Sequence, residues 1–359
     1  MTTHLFDAAI ALVADEGDRF TGATHPAWAN MVGPFGGVSA AVLLNAVLQH
    51  PALLGAPVSL TVNFCAGLAD GPFEISARPA RTNRSTQHWV LELTQTDAQG
   101  EEATVLTGTA VTAARRETWS ASDTLPPPVA AAADVVRARG VAPIEWVNRY
   151  ELRFMAGSMP RQWDGQPVSS DPQQASLTQL WVRDDPPRPL DFCSLAAMSD
   201  IFFPRVFLRR ALRVPIGTVS MTVYFHADAQ QLADTGTGFL LGQARAQHFR
   251  NGYFDQTAQL WVRDDPPRPL DFCSLAAMSD IFFPRVFLRR ALRVPIGTVS
   301  MTVYFHADAQ QLADTGTGFL LGQARAQHFR NGYFDQTAQL WNEAGTLLAT
   351  THQVVYYRE

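Results

Sequence analysis

Along the first third of the chain, apolar residues recur at helical spacing and then switch to alternation. A short amphipathic helix is expected around 5–14, followed by an extended stretch over 18–31. Gly33-Pro34-Phe35-Gly36-Gly37 then opens a segment, 38–49, that is apolar on nearly every face. A helix hydrophobic all round must be surrounded by protein. Three segments of period two follow, at 58–66, 73–95 and 101–113, with Asp97-Ala98-Gln99-Gly100 as a hairpin signal. One buried helix followed by an antiparallel sheet able to wrap it is α+β logic.

Beyond residue 118 the pattern lapses into Ser, Pro127, Pro128 and an Ala-rich run, which reads as a linker with one helical turn. Strands are expected at 147–155 and 176–182. The stretch 190–203 should be helical, with Asp191 as N-cap and Pro204 as its end. Strands near 218–227, 238–247 and 253–261 come next, and a last one at 347–356 closes the chain.

Two kinds of repetition overlay this pattern. Ser59-Leu60-Thr61-Val62-Asn63-Phe64-Cys65-Ala66 matches Ser220-Met221-Thr222-Val223-Tyr224-Phe225-His226-Ala227, so one helix-plus-sheet unit is used twice in diverged form. Separately, residues 181–260 recur letter for letter as 261–340. Gln179-Leu180-Trp181, Gln259-Leu260-Trp261 and Gln339-Leu340-Trp341 mark the crossover, and the final strand is not copied. The chain of 359 less one 80-residue copy leaves 279, which suits two domains. The expected organisation is an N-terminal unit over 1–118, a linker over 119–145, and a C-terminal unit over 146–359 that holds both copies. Only copy two runs into the hairpin Asn342-Glu343-Ala344-Gly345. The expectation is therefore that copy two completes the native domain and copy one is an insertion, partly folded, swapped or paired at a sheet edge.

Composition narrows the function classes. The net charge is −5, and all 28 basic residues are Arg without a dense cluster, which argues against a nucleic-acid partner. Three cysteines, two of them repeat-related, fit a reducing cytoplasm better than a disulfide scaffold. No apolar run approaches the roughly 20 residues of a membrane span. Paired His or Cys spacing for a metal is missing, and no cofactor is expected. Gly37-Val38-Ser39-Ala40-Ala41 only approximates a nucleophile elbow.

With Gly33 to Gly37 opening an apolar helix, and Ser-Met-Thr-Val-Tyr-Phe-His-Ala ahead of a final Leu-Ala-Thr-Thr-His-Gln, the sequence resembles the TesB-like acyl-CoA thioesterases. The resemblance spans the chain apart from one surplus copy. It implies a double hotdog, two helices each wrapped by a curved antiparallel sheet, plus the duplicated helix-and-strands segment. It also implies an acyl-CoA substrate, a homo-oligomer, and a catalytic Asp, Thr and Gln in the second unit. The Asp matches Asp280 in copy two and Asp200 in copy one, the Thr matches Thr298 and Thr218, and the Gln matches Gln353 alone. Ser220 and Ser300 stand where the family often has Asp, which bears on chain-length selectivity more than on the chemistry.

Read as chemistry, an Asp among apolar helix residues pays a desolvation cost that raises its pKa and makes it a better base. Asp280 would hold and deprotonate a water oriented by Thr298 and Gln353. Gly36 and Gly37, at the first helix's N-terminus, would supply an oxyanion or phosphate contact. Each residue also has an ordinary structural reading: a cap or an ion pair with Arg285 for Asp280, plain strand chemistry for Thr298, a structural hydrogen bond for Gln353, a turn for the two glycines. The first unit offers Gly108 and about Pro57 in the places of Gln353 and Thr298, so it lacks the polar set. The alternative function is a non-catalytic acyl-CoA-binding protein inactivated by the duplication.

Overall fold

A computed structural model describes residues 3–96, 100–114, 126–140, 144–246, 249–261, 296–315, 319–330 and 333–357. It divides into unit 1, Met1–Asp264, and unit 2, Asp265–Glu359. Unit 1 opens with α1 (Leu5–Ala9), whose first turn is capped by the His4 ring accepting from the Phe6 N–H. The helix is shorter than its amphipathic pattern suggests, because Val13–Ala14 leaves it as β1 and pairs with β2 (Arg19–Ala23). Helix α2 (Gly36–Gln49) follows, with ten of its fourteen residues buried, as a segment without a polar face requires.

Around α2 run β3 (Ala56–Phe64), β4 (Pro72–Thr82), β5 (Thr86–Thr96) and β6 (Glu102–Ala113). The expected continuous segment at 73–95 is two strands, broken where the Asn83 amide N–H is given to the Thr86 carbonyl in a tight turn. Burial alternates along β5, Trp89, Leu91 and Leu93 facing inward, which is the period-two signature of a half-buried sheet. The linker region contains one 3₁₀ turn at Ala132–Asp134, and another at Glu145–Arg149 leads into β7 (Tyr150–Ala156) and β8 (Thr178–Asp184). Trp28, fully buried, stands edge-on to Phe6 and Tyr150 and stacks on Phe35, which stacks in turn on Trp146 with ring centres 4.1 Å apart.

Copy one supplies the rest of unit 1. Helix α3 (Phe192–Met198) is capped by Asp191 in a reciprocal box with Ser194 and packs on α2. It stops five residues before the expected end, where the Ser199 hydroxyl bonds back to the Leu195 carbonyl. After α4 (Val206–Arg209) come β9 (Ser220–Tyr224), α5 (Ala229–Thr235), β10 (Leu240–Arg245), β11 (Phe249–Arg250), β12 (Tyr253–Phe254) and β13 (Thr257–Trp261). Unit 1 thus holds a seven-stranded sheet ordered β1-β2-β4-β5-β6-β3-β9, a four-stranded sheet ordered β13-β10-β8-β7, and the hairpin β11-β12.

Copy one is paired at a sheet edge through β9, one of the placements expected for it, but it is also part of the core and not a surplus insertion. Phe192, Leu195, Ala196, Ile201, Phe225 and Leu240 lie in the same core cluster as α2. Position 181 onward continues β8, whose partner strand β7 precedes the repeat, so copy one is the first to meet its native neighbours.

Unit 2 contains β14 (Ile296–Phe305), α6 (Ala309–Thr315), β15 (Leu320–Arg330), β16 (Tyr333–Asn342) and β17 (Leu347–Tyr357), in a sheet ordered β14-β17-β16-β15. Among its described residues a buried cluster is formed by Ala307, Leu312, Leu340, Leu348 and Ala349. The expected hairpin at 342–345 is present, with the Gly345 N–H donated to the Asn342 carbonyl and Gly345 in the left-handed region that a tight turn requires.

Candidate active site

Helix α2 starts without a side-chain cap, since Phe35 is its N-cap, so its first amides need acceptors outside the helix. The carboxylate of Asp200, just beyond α3, accepts from the Gly37 N–H. Burial pushes this carboxyl from 3.8 up to about 7, and the Gly37 N–H pulls the other way by favouring the ionised form. Both glycines are needed for the approach. A Cβ on Gly36 would lie 2.7 Å from Asp200 Oδ2, and one on Gly37 would lie 2.3 Å from the Ala197 carbonyl oxygen. The sequence expectation assigned Gly36 and Gly37 to substrate; in the structure they first of all let α2 and α3 meet and bring an amide to Asp200.

Asp200 lies on the wall of a cleft of about 2650 Å³ within unit 1, lined also by Gly36, Phe64, Thr218, Met221 and Gln256. Thr218 is exposed and stands two residues ahead of β9, so the copy-one threonine precedes its strand instead of starting it. Arg209, Arg210 and Arg213 line the same cleft, Arg213 over the Trp163 ring at 5.0 Å. The sequence reading passed over these three. Their Arg-Arg-Ala-Leu-Arg spacing after Pro204 was the available signal, hidden by the lack of any denser basic cluster.

A second raised carboxyl lies away from the cleft. Burial lifts Asp184 to about 7, Arg188 draws it back, and Asp191 and Asp7 add to the rise; its Oδ1 has no hydrogen-bond partner. Tyr150, buried beside it, is raised well above its usual value by burial and by the charges of Asp184 and Asp200, so it stays neutral.

Of the copy-two set, Asp280 lies outside the described residues. Thr298 is exposed on β14 and faces Val355 of β17 across a bulge. Gln353 is buried on β17, where its Oε1 accepts from Gln336 Nε2 at 3.0 Å and its Nε2 meets Met301 Sδ at 3.3 Å. The same bulge recurs between Pro57 and Ser59, which places Pro57 at the position of Thr298. Met301 faces Gln353 as Leu60 faces Ala110, so the residue standing for Gln353 in the first repeat is Ala110, two residues past the expected Gly108. It is apolar all the same.

Among the described residues no group of three His, Cys, Asp or Glu is placed to hold a metal ion. No helix among them is long and apolar enough to cross a membrane.

Comparison with known proteins agrees with this arrangement. The acyl-CoA thioesterase N-terminal domain matches residues 24–113, and the acyl-CoA thioesterase C-terminal domain matches twice, at 121–265 and 256–357. A conserved hot dog fold protein of unknown function from Alicyclobacillus acidocaldarius is 36% identical, with 100% of this chain and 99% of that one covered and a TM-score of 0.60. Two further solved structures share the fold: a candidate thioesterase II from Thermobifida fusca, at 16% identity, 99% and 97% coverage and a TM-score of 0.51, and a candidate thioesterase from Novosphingobium aromaticivorans, at 14% identity, 97% and 99% coverage and a TM-score of 0.53. Among curated proteins none matches. Two helix-and-sheet repeats, a cleft at the meeting of their helices, and domain matches that reproduce both the pair and the duplication assign this chain to the acyl-CoA thioesterase family, with a hot dog fold.

Proposed function

We propose that the protein hydrolyses acyl-CoA thioesters through a water activated by Asp200, without a covalent intermediate. The observation that carries this reading is a half-buried carboxylate with a pKa of about 7, held at an uncapped helix N-terminus and facing a large cleft. A base poised near neutral pH combines a sizeable ionised fraction with a strong pull on a proton. Asp200 takes a proton from the water as its oxygen bonds to the thioester carbonyl carbon. The carbon–sulfur bond then breaks and the thiolate recovers the proton, leaving a carboxylic acid and free CoA thiol. The positive end of helix α2 suits the negative charge that develops on the carbonyl oxygen. Thr218 offers a hydroxyl to the same water.

Arg209, Arg210 and Arg213 supply cationic groups for the phosphates of CoA, and Arg is well matched to such anions. The sequence reading preferred Asp280 and Thr298 as partners of Gln353. The proposal transfers the roles of those two residues to Asp200 and Thr218, because copy one is the copy packed against α2.

The test is a pH–rate profile of thiol release from a panel of acyl-CoA substrates. With an ionised base, kcat/KM should climb tenfold per pH unit on the acid side and level off above about 7. A profile flat from pH 5 to 9, or one that declines through pH 7, would rule out Asp200 as the base.

A further inference from the structure

In unit 1, β9 and β13 are each the last strand of their sheets, and both edges line the one cleft. Their sequences are repeated in unit 2: 220–224 recurs as 300–304 within β14, and 257–261 recurs as 337–341 within β16. There, β17 lies between them, paired antiparallel to both. Each chain therefore carries two identical seats for β17 and only one β17.

The consequences of an empty seat are visible in identical sequences. With β17 in place, β14, β15 and β16 run for 10, 11 and 10 residues. Without it, β9 has 5 residues, and the counterparts of β15 and β16 are each described as two strands, β10 of 6 with β11 of 2 and β12 of 2 with β13 of 5. The two side chains that hold Gln353 in unit 2, Gln336 and Met301, have as counterparts Gln256 and Met221, and both line the cleft. Among the described residues, side chains beside the seat now occupied are the more exposed. Leu321 is 68% and Phe305 is 42% exposed, whereas their copies Leu241 and Phe225 are 4% and 2% exposed.

We propose that β17 exchanges between these two seats, and that in the second it lies between β9 and β13 in the register it now keeps with β14 and β16. The strand pairings are conserved one for one, so the hydrogen-bond ladders balance and the exchange is decided by side-chain cover. Leu347 would then follow Trp261 across a hairpin, as it now faces Trp341, and copy two would become an insertion at the hairpin tip. The entropic cost of such an insertion grows only with the logarithm of its length. The occupant is β17 of the same chain. The catalytic consequence, that Gln353 joins Asp200 and Thr218, rests on the function proposed above.

The test uses the full chain with Cys65→Ser, Cys193→Ala and Cys273→Ala, carrying either Tyr304→Cys with Thr350→Cys or Tyr224→Cys with Thr350→Cys. Residues 304 and 350 are directly opposed, so the first pair reports the seat now occupied and controls for folding. Mild oxidation at low protein concentration, followed by peptide mapping, should give an intramolecular 224–350 disulfide in at least a tenth of the yield of the 304–350 bond. A 304–350 bond with no 224–350 bond overturns the exchange, and so does a 224–350 bond found only in cross-linked dimers. Thiol release is then read on the 224–350 form. A rise of tenfold or more supports the assembly of the site, whereas a cross-linked but inactive form leaves the exchange standing and counts against the proposed chemistry.

Discussion

Replacing Gly37 with Ala sets two effects of opposite sign against each other. Gly37 is the second residue of α2 and does not have a left-handed backbone, so helix propensity alone favours Ala by about 1 kcal/mol. Against this, the new Cβ would stand 2.3 Å from the Ala197 carbonyl oxygen and 2.5 Å from the Phe35 ring. The nearest atom belongs to backbone, so relief requires α2 and α3 to separate by roughly 1 Å if an ordinary contact is restored. Overpacking of this kind costs about 1–3 kcal/mol, and a rigid backbone neighbour puts it at the upper end, so a net loss of about 2 kcal/mol is expected. Urea unfolding followed by the fluorescence of buried Trp28 and Trp89 measures it. The Gly37 amide also draws away from Asp200, which should move the acid limb of the pH–rate profile to higher pH. A variant as stable as the parent, or more stable, would refute the close packing of α2 on α3 from which the site is built.

Three further outcomes are expected. Asp184 has a raised folded pKa, so its contribution is fully present below about pH 4 and is lost as pH rises through 7; Asp184→Asn should stabilise unit 1 by about 2–4 kcal/mol at pH 8 and by nothing at pH 4, as read by denaturant midpoints at the two pH values. Trp28→Ala empties the centre of the aromatic cluster with Phe6, Phe35 and Tyr150 and should cost about 3–5 kcal/mol in the same unfolding assay, and a loss below 1 kcal/mol would contradict that cluster. Removing either copy yields the same shortened chain, with one seat for one β17; calorimetry should show a single transition at higher temperature than the parent's, and a lower one would mean that both copies support the fold.

Much of this architecture was legible because burial imposes periodicity. The all-apolar 38–49 segment could only be a surrounded helix, and the alternation near 58–66 and 101–113 placed β3 and β6 within two residues. Helix α5 escaped notice although Asp228 and Gln231 form a reciprocal capping box, because its seven residues show little apolar periodicity. The lengths of β9 and β14 were not legible at all: the same residues form strands of 5 and 10, the first paired with β3 and the second with β17. That Asp200 meets the start of α2 was hidden for a related reason. Identical copies carry no local difference, and what marks Asp200 is the approach of Gly36 and Gly37, which are distant in sequence.

The most direct measurement compares thiol release from acyl-CoA by the parent chain, by Asp200→Asn and by Asp280→Asn, each checked for a native unfolding transition. The account predicts a loss of at least a hundredfold in kcat for Asp200→Asn and less than a threefold change for Asp280→Asn. The reverse pattern, or full activity in both variants, would contradict the assignment of catalysis to the carboxylate at the N-terminus of α2.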